Sequence, residues 1–234
     1  MFILSIFGTI IIKITIMTEY ISLGSNCSIA YQLNKRGLRS ISYPFDWVSI
    51  SIGQLNNILQ MDFDNFSETL QPIKKSNSHE YFDFVGYDGS NGLDDSDDNK
   101  TPKKSGTIIL TNKYGIKFAH EITEIVEIDK FKLKISNRIN RFRNLILLNK
   151  QICFIRIELN TIRKNWIKHI ENLIKTLKNY IGQFKLILII NPNDICFNDI
   201  CFDDLPEFVK IYKFENFLPD WKMDLINWDE IFSL

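Results

Sequence analysis

The sequence predicts an α/β fold, in which a mostly parallel, open sheet is flanked by helices and carries a β-hairpin insertion. Two observations support this prediction. Helix and strand patterns alternate in the second half of the chain, which implies crossover connections and parallel strands. Residues 185–190 read KLILII, an apolar run typical of a strand that is covered on both faces.

Length and composition favour one globular domain. The chain has 234 residues, of which 45% are hydrophobic and 24% are charged. This size is sufficient to bury a sizeable core. We expect a hydrophobic extension at residues 1–17 and a single α/β domain at 18–234. A polar, acidic stretch at about 71–106 predicts a surface loop that is partly disordered.

The first sixteen residues read MFILSIFGTIIIKITI. This segment is shorter than the roughly 20 residues of a membrane-spanning helix, and Lys13 interrupts it. It also lacks the basic region and the cleavage site of a signal peptide. We expect an upstream extension, with a membrane anchor and an additional packed strand as alternatives. A membrane partner is therefore expected only through residues 1–16.

The cysteines and the net charge limit the possible cellular compartment and the possible binding partners. Four cysteines without a disulfide framework indicate reduced thiols and a cytoplasmic protein, with membrane association through the N-terminal segment as the alternative. Cys153 lies in an apolar run and is expected in the core. Cys196 and Cys201 lack the second ligand pair of a zinc site, so we expect no metal and no cofactor. A net charge of zero argues against nucleic acid as a partner.

The first half of the chain predicts short elements. A strand at residues 20–23 leads through a turn into a helix at 27–34, with Ser25 or Asn26 as its N-cap. A loop around Pro44 precedes a second helix at 51–61. Strands at residues 107–111 and 116–120 flank a loop that contains glycine and form a hairpin.

The second half predicts longer elements. A helix at residues 129–149 carries one apolar stripe, formed by Ile135, Ile139, Phe142 and Ile146. The elements that follow are a strand at 152–157, a helix at 165–180, strands at 185–190 and 209–214, and a tail helix within 219–234 that buries Trp221 and Trp228.

The strongest candidate for chemistry is the sequence LGSNCS at residues 23–28. It places the thiol of Cys27 at a strand-to-helix turn, in the first turn of the helix. Unpaired N–H groups and the helix dipole stabilise a thiolate there and can donate to an oxyanion. The alternative is a small cysteine that packs the first helical turn.

The sequence resembles the domain of unknown function 1796 family, which is described as papain-like cysteine peptidases. The resemblance rests on SLGSNCSIAYQL at residues 22–33 and on PFDW at 44–47. It extends to a hairpin whose second strand ends in His120 and to a strand that carries Arg156. A papain-like α+β arrangement is therefore the alternative fold.

The resemblance implies a Cys–His hydrolase or acyltransferase, in which Cys27 is the nucleophile and His120 the general base. Asp46 is the first candidate to orient the imidazole, and Asn191, at a strand end, is the second. The substrate class is a peptide, isopeptide or other acyl bond.

The oxyanion site and Arg156 complete the set of candidates. Asn26, or the backbone amides of Cys27 and Ser28, could form the oxyanion site. Arg156 lies in an apolar strand, where it requires a carboxylate or phosphate partner. That partner is either an aspartate such as Asp46 or an anionic ligand. The alternative function is thus a non-enzymatic module that binds an anion at the turn of residues 24–27.

Overall fold

The structure, a computed structural model, describes residues 17–73, 108–118, 122, 125–158, 166–192, 202, 205–215 and 222–233. Several predictions concern residues outside these ranges. They are the N-terminal segment at 1–16, most of the polar loop, His120, Cys196, Cys201 and Trp221.

The described elements alternate along the chain. The strands are β1 (Thr18–Ser22), β2 (Val48–Ser49), β3 (Gln71–Pro72), β4 (Leu110–Thr111), β5 (Lys117–Phe118), β6 (Gln151–Glu158), β7 (Lys185–Ile190) and β8 (Val209–Lys213). The α-helices are α1 (Ser28–Lys35), α2 (Ile52–Gln60), α3 (Ile128–Arg143), α4 (Trp166–Tyr180) and α5 (Trp228–Ser233).

The large sheet consists of four parallel strands in the order β1-β6-β7-β8. Its register pairs Ser22 with Ile155, and Glu158 with Ile190. The carboxyl ends of β1, β6 and β7 therefore share one edge of the sheet. The predicted parallel sheet is confirmed, and the strand at 185–190 has the expected bounds.

Alternate residues of the large sheet belong to two separate clusters of the core. Phe154 and Leu188 face one side, where they pack with residues of α2, α3 and α4. Ile155 and Ile189 face the other side, where they pack with residues of α1 and α5. Helices thus cover both faces, which is why residues 152–155 of β6 and five of the six residues of β7 are apolar.

The small sheet is antiparallel, has the order β2-β5-β4-β3 and contains two residues in each strand. The predicted hairpin is β4 and β5, and the amide of Gly115 donates to the carbonyl of Asn112 in its loop (2.9 Å). Beside it lie β2 and β3, which the sequence did not predict.

The helices follow the predicted patterns with two corrections. The N-cap residue of α1 is Cys27, and not Ser25 or Asn26 as predicted. At the start of α2, Ser51 and Gln54 form a capping box, in which each side chain accepts from the other residue's backbone amide. The helix predicted at 129–149 is wrong at its C-terminal end, because α3 stops at Arg143 and a short 3₁₀ turn follows. Ile146 consequently leaves the buried stripe and is 67% exposed.

The tail forms α5, which buries Trp228 against the sheet. No helix within the described ranges combines the length and the apolar character needed to cross a membrane.

Candidate active site

The turn after β1 has an uncommon backbone conformation. Gly24 and Ser25 follow one another in the left-handed region, with φ of 77° and 86°. Glycine adopts this conformation without penalty, whereas a non-glycine residue held there stores about 1 to 3 kcal/mol. Backbone strain of this kind is concentrated at functional sites, so the turn is a candidate on geometry alone.

The segment before α2 packs directly against this turn. A β-carbon added to Gly24 would lie 2.3 Å from Cγ2 of Ile50 and 3.5 Å from the carbonyl oxygen of Phe45. Only glycine fits between these neighbours. The sequence PFDW at residues 44–47 is therefore in contact with the turn that carries Cys27, which the resemblance alone did not show.

Cys27 occupies the N-cap position of α1 and is partly exposed. The adjacent Asn26 accepts two hydrogen bonds through Oδ1, from the amide (3.1 Å) and from the hydroxyl (2.5 Å) of Ser28. The Ser28 amide was predicted as an oxyanion donor, and in this conformation it already has an acceptor. Donation to a substrate oxygen would require the Asn26 side chain to rotate away.

Arg156 lies beneath the turn with no exposed surface. Its guanidinium donates to the carbonyl oxygens of Leu23 and Ile50 (3.0 Å each) and forms an ion pair with Glu158 (3.1 Å). The predicted carboxylate partner exists, but the choice of Asp46 is wrong. No contact of Arg156 favours the anion-binding module, since a dissolved anion finds no exposed part of this side chain.

Asp46 anchors the segment in which it lies. Its Oδ2 accepts from the amide of Tyr43 (2.7 Å) and lies 3.4 Å from a guanidinium nitrogen of Arg39. Arg39 in turn donates to the hydroxyl of Ser42 and to the carbonyl of Ile41. The anchoring interpretation of Asp46 is confirmed by these contacts. Its role in orienting His120 stays a prediction, because His120 lies outside the described residues.

Asn191 follows the last residue of β7, at the same edge of the large sheet as the turn. The intervening strand β6 separates β7 from β1, and two strand spacings correspond to about 10 Å. Asn191 thus lies at the predicted edge but not on a strand adjacent to β1.

Sequence reasoning missed Glu158, the partner of Arg156. A usable signal was present, because residues two apart on a strand point to the same face. Trp166, at the start of α4, also reaches this carboxylate, with Nε1 at 3.5 Å from Oε2.

Cys153 provides a contrast with Cys27. It lies in β6, and burial raises the pKa of its thiol to about 12. It remains protonated at neutral pH and belongs to the core, as predicted.

The described part of the chain contains no candidate metal site. No group of three or more His, Cys, Asp or Glu residues is gathered there in a way that could hold an ion.

The fold and the site place this chain among α/β proteins with a candidate thiol nucleophile. The cysteine lies at a strained turn between a strand and a helix. The family described as "Putative papain-like cysteine peptidase (DUF1796)" matches residues 18–193, and the chain belongs to this family. The match begins with β1, includes both described sheets except β8, and ends just after β7. The description of the family supports the assignment of this chain to a general papain-like class of hydrolases.

A relative extends the similarity over nearly the whole chain. An uncharacterized protein of Acanthamoeba polyphaga mimivirus is 31% identical over 227 residues, which cover 92% of this chain and 96% of that protein. No solved structure matches the chain.

Proposed function

We propose that this protein is a papain-like cysteine hydrolase or acyltransferase that acts on a peptide, isopeptide or other acyl bond. Cys27 is the nucleophile and His120 the general base. The observation that carries the proposal is the position of Cys27, which is partly exposed at the first turn of α1 and directly follows a strained backbone turn.

The turn favours the ionised form of the thiol. Cys27 is the N-cap residue of α1 and so lies at the helix end whose first amide groups have no partner within the helix, where the helix dipole adds a partial positive charge. Both lower the pKa of a cysteine at this position. A neighbouring imidazole that takes the proton of Sγ completes the activation.

The reaction then follows the usual course of acyl transfer. The thiolate of Cys27 attacks the substrate carbonyl carbon, and the carbonyl oxygen becomes an oxyanion that amide donors stabilise. Collapse of this intermediate breaks the bond to the leaving group, which takes a proton from the imidazolium of His120. His120 then removes a proton from water or from an acceptor amine, which attacks the resulting thioester and releases the thiolate of Cys27.

The register of the small sheet supports Asp46 as the orienting residue. Antiparallel pairing joins Val48 to Phe118 and Ser49 to Lys117. The strand β2, which begins two residues after Asp46, is therefore paired with β5, which ends two residues before His120 in the sequence. This pairing favours Asp46 over Asn191, which follows a strand of the other sheet.

Profiling with a thiol-directed acyl probe tests the proposal. We expect the wild type to form an acyl-enzyme at Cys27, and Cys27→Ser and His120→Ala to lose it. Cys153→Ser serves as the matched thiol control, because its buried, protonated sulfur should not react. Equal acylation of wild type and Cys27→Ser, or none of the wild type, would contradict the proposal.

A further inference from the structure

Arg156 is a cation in the interior of β6, between two apolar residues. It is fully buried, and the residues before and after it, Ile155 and Ile157, are buried as well. Burying a guanidinium costs several kcal/mol unless its donors are well satisfied. The contacts that satisfy it therefore indicate what this residue does.

Two of these contacts join separate segments around Gly24. One nitrogen (Nη1) donates to the carbonyl of Leu23, the residue immediately before Gly24. The other (Nη2) donates to the carbonyl of Ile50, whose side chain fills the space beside Gly24. The guanidinium thus holds the start of the strained turn and the segment that packs against it.

Glu158 fixes the orientation of the guanidinium. Its two carboxylate oxygens accept from Nε (3.1 Å) and Nη2 (3.3 Å) of Arg156. This two-point contact fixes the plane of the guanidinium and balances its charge. Since both residues point to the same face of β6, the rigid strand carries the pair.

We propose that Arg156, oriented by Glu158, is the positioning residue of the turn that carries the nucleophile. The buried pair holds the carbonyl of Leu23, and thereby the path of Gly24 and Ser25 that leads to Cys27. The consequence for catalysis rests on the function proposed above, whereas the effect on the turn does not.

Lysine cannot replace this arrangement. An ammonium group donates from a single point, whereas the contacts of Arg156 diverge toward Leu23, Ile50 and Glu158. Arg156→Lys keeps the positive charge but removes the planar guanidinium with its diverging N–H donors. The variant therefore distinguishes the effect of donor geometry from the effect of charge. Arg143→Lys is the matched control, since Arg143 is 40% exposed and binds Asp62 at the surface.

Hydrogen–deuterium exchange on the full chain tests the proposal. In Arg156→Lys we expect the amides of residues 22–28 to exchange roughly tenfold faster or more, because bonds from a charged donor to buried carbonyls are lost. The amides of β7 should exchange as in the wild type, and Arg143→Lys should change neither segment. Glu158→Gln, which keeps the volume and removes the charge, should give a smaller increase at the turn.

Alkylation of two cysteines adds a readout that a general loss of stability would not produce. In Arg156→Lys the dependence of Cys27 alkylation on pH should shift, while Cys153 stays protected in the core. Should Arg156→Lys fail to fold, Glu158→Gln provides the same two readouts.

Two results would overturn the proposal. The first is unchanged exchange at residues 22–28. The second is a joint increase at the turn, at β7 and at Cys153, which would mean that Arg156 stabilises the whole fold. Faster exchange at the turn, combined with an ordinary thiol titration of wild-type Cys27, would instead contradict the proposed function and leave the positioning role intact.

Discussion

The two sheets differ in what holds them together. The large sheet has strands of five to eight residues, paired in parallel and covered on both faces. Each strand of the small sheet has two residues, so few ladder hydrogen bonds contribute, and buried side chains stabilise it instead. Phe118 packs edge-on against Phe66 and Phe131 there. The strand β1, which leads into the turn of Cys27, is thus fixed by strand register, whereas β5, which ends two residues before His120 in the sequence, is fixed by aromatic packing.

The largest effect is expected from Phe118→Ala, which removes the central side chain of the small sheet. We expect a loss of about 3 to 5 kcal/mol in the free energy of unfolding, measured by urea denaturation. Phe232→Ala, at a partly buried position on α5, should cost clearly less. Equal losses in the two variants would contradict the claim that the buried ring of Phe118 stabilises the small sheet.

Asp46→Asn tests the anchor of the segment that packs on the turn. Removing one charge of a buried ion pair leaves Arg39 uncompensated, and we expect a loss of about 3 kcal/mol in the free energy of unfolding. Asp62→Asn, which removes the surface partner of Arg143, should cost less than about 1 kcal/mol. A small effect of Asp46→Asn on stability, combined with loss of acylation, would show that its role is catalytic and not structural.

Gly24→Ala tests the close approach beneath the nucleophile. The added methyl group meets the left-handed backbone and overlaps Ile50, so we expect a loss of about 2 to 3 kcal/mol by urea denaturation. Gly37 has a similar φ of 65° but no atom near its β-carbon position, so Gly37→Ala should cost only about 1 kcal/mol. If both variants lose the same free energy, Ile50 does not constrain the turn.

The smallest effect concerns pH and the docking of the tail. Hydrogen bonds from Gln32 and Lys35 hold the pKa of Asp224 below its ordinary value of 3.8. A lowered pKa stabilises the folded state above pH 3.8, and this contribution disappears as the pH falls through the folded-state pKa. The difference in Tm between wild type and Asp224→Asn should therefore be full at pH 6 and vanish in acid. A difference that is independent of pH would show that the charge of Asp224 has no part in it.

Periodicity in the sequence revealed most of the large sheet. The run at residues 185–190 predicted β7 with its observed bounds, because a strand buried on both faces needs apolar residues at every position. The strands β2 and β3 left no such signal, since two residues do not define a period. The end of α3 was also missed, because Ile146 continues the apolar spacing although it lies outside the helix.

The sequence predicted the position of the candidate nucleophile but not the buried contacts that hold its turn. The position of Cys27 at the first turn of a helix followed from the strand and helix patterns on either side. The contacts of Arg156 with Leu23 and Ile50 could not be predicted, because each of these two residues lies more than 100 residues before Arg156 in the chain. Long-range contacts of this kind have no local sequence pattern.

We propose that the thiol of Cys27 is ionised near neutral pH because it lies at the start of α1 and because His120 accepts its proton. The most direct test is the rate of iodoacetamide alkylation at Cys27, followed by peptide mapping as the pH is varied. We expect the midpoint of this titration to lie well below the free value of about 8.5 and to move upward in His120→Ala. A titration at the free value that His120→Ala leaves unchanged would contradict it.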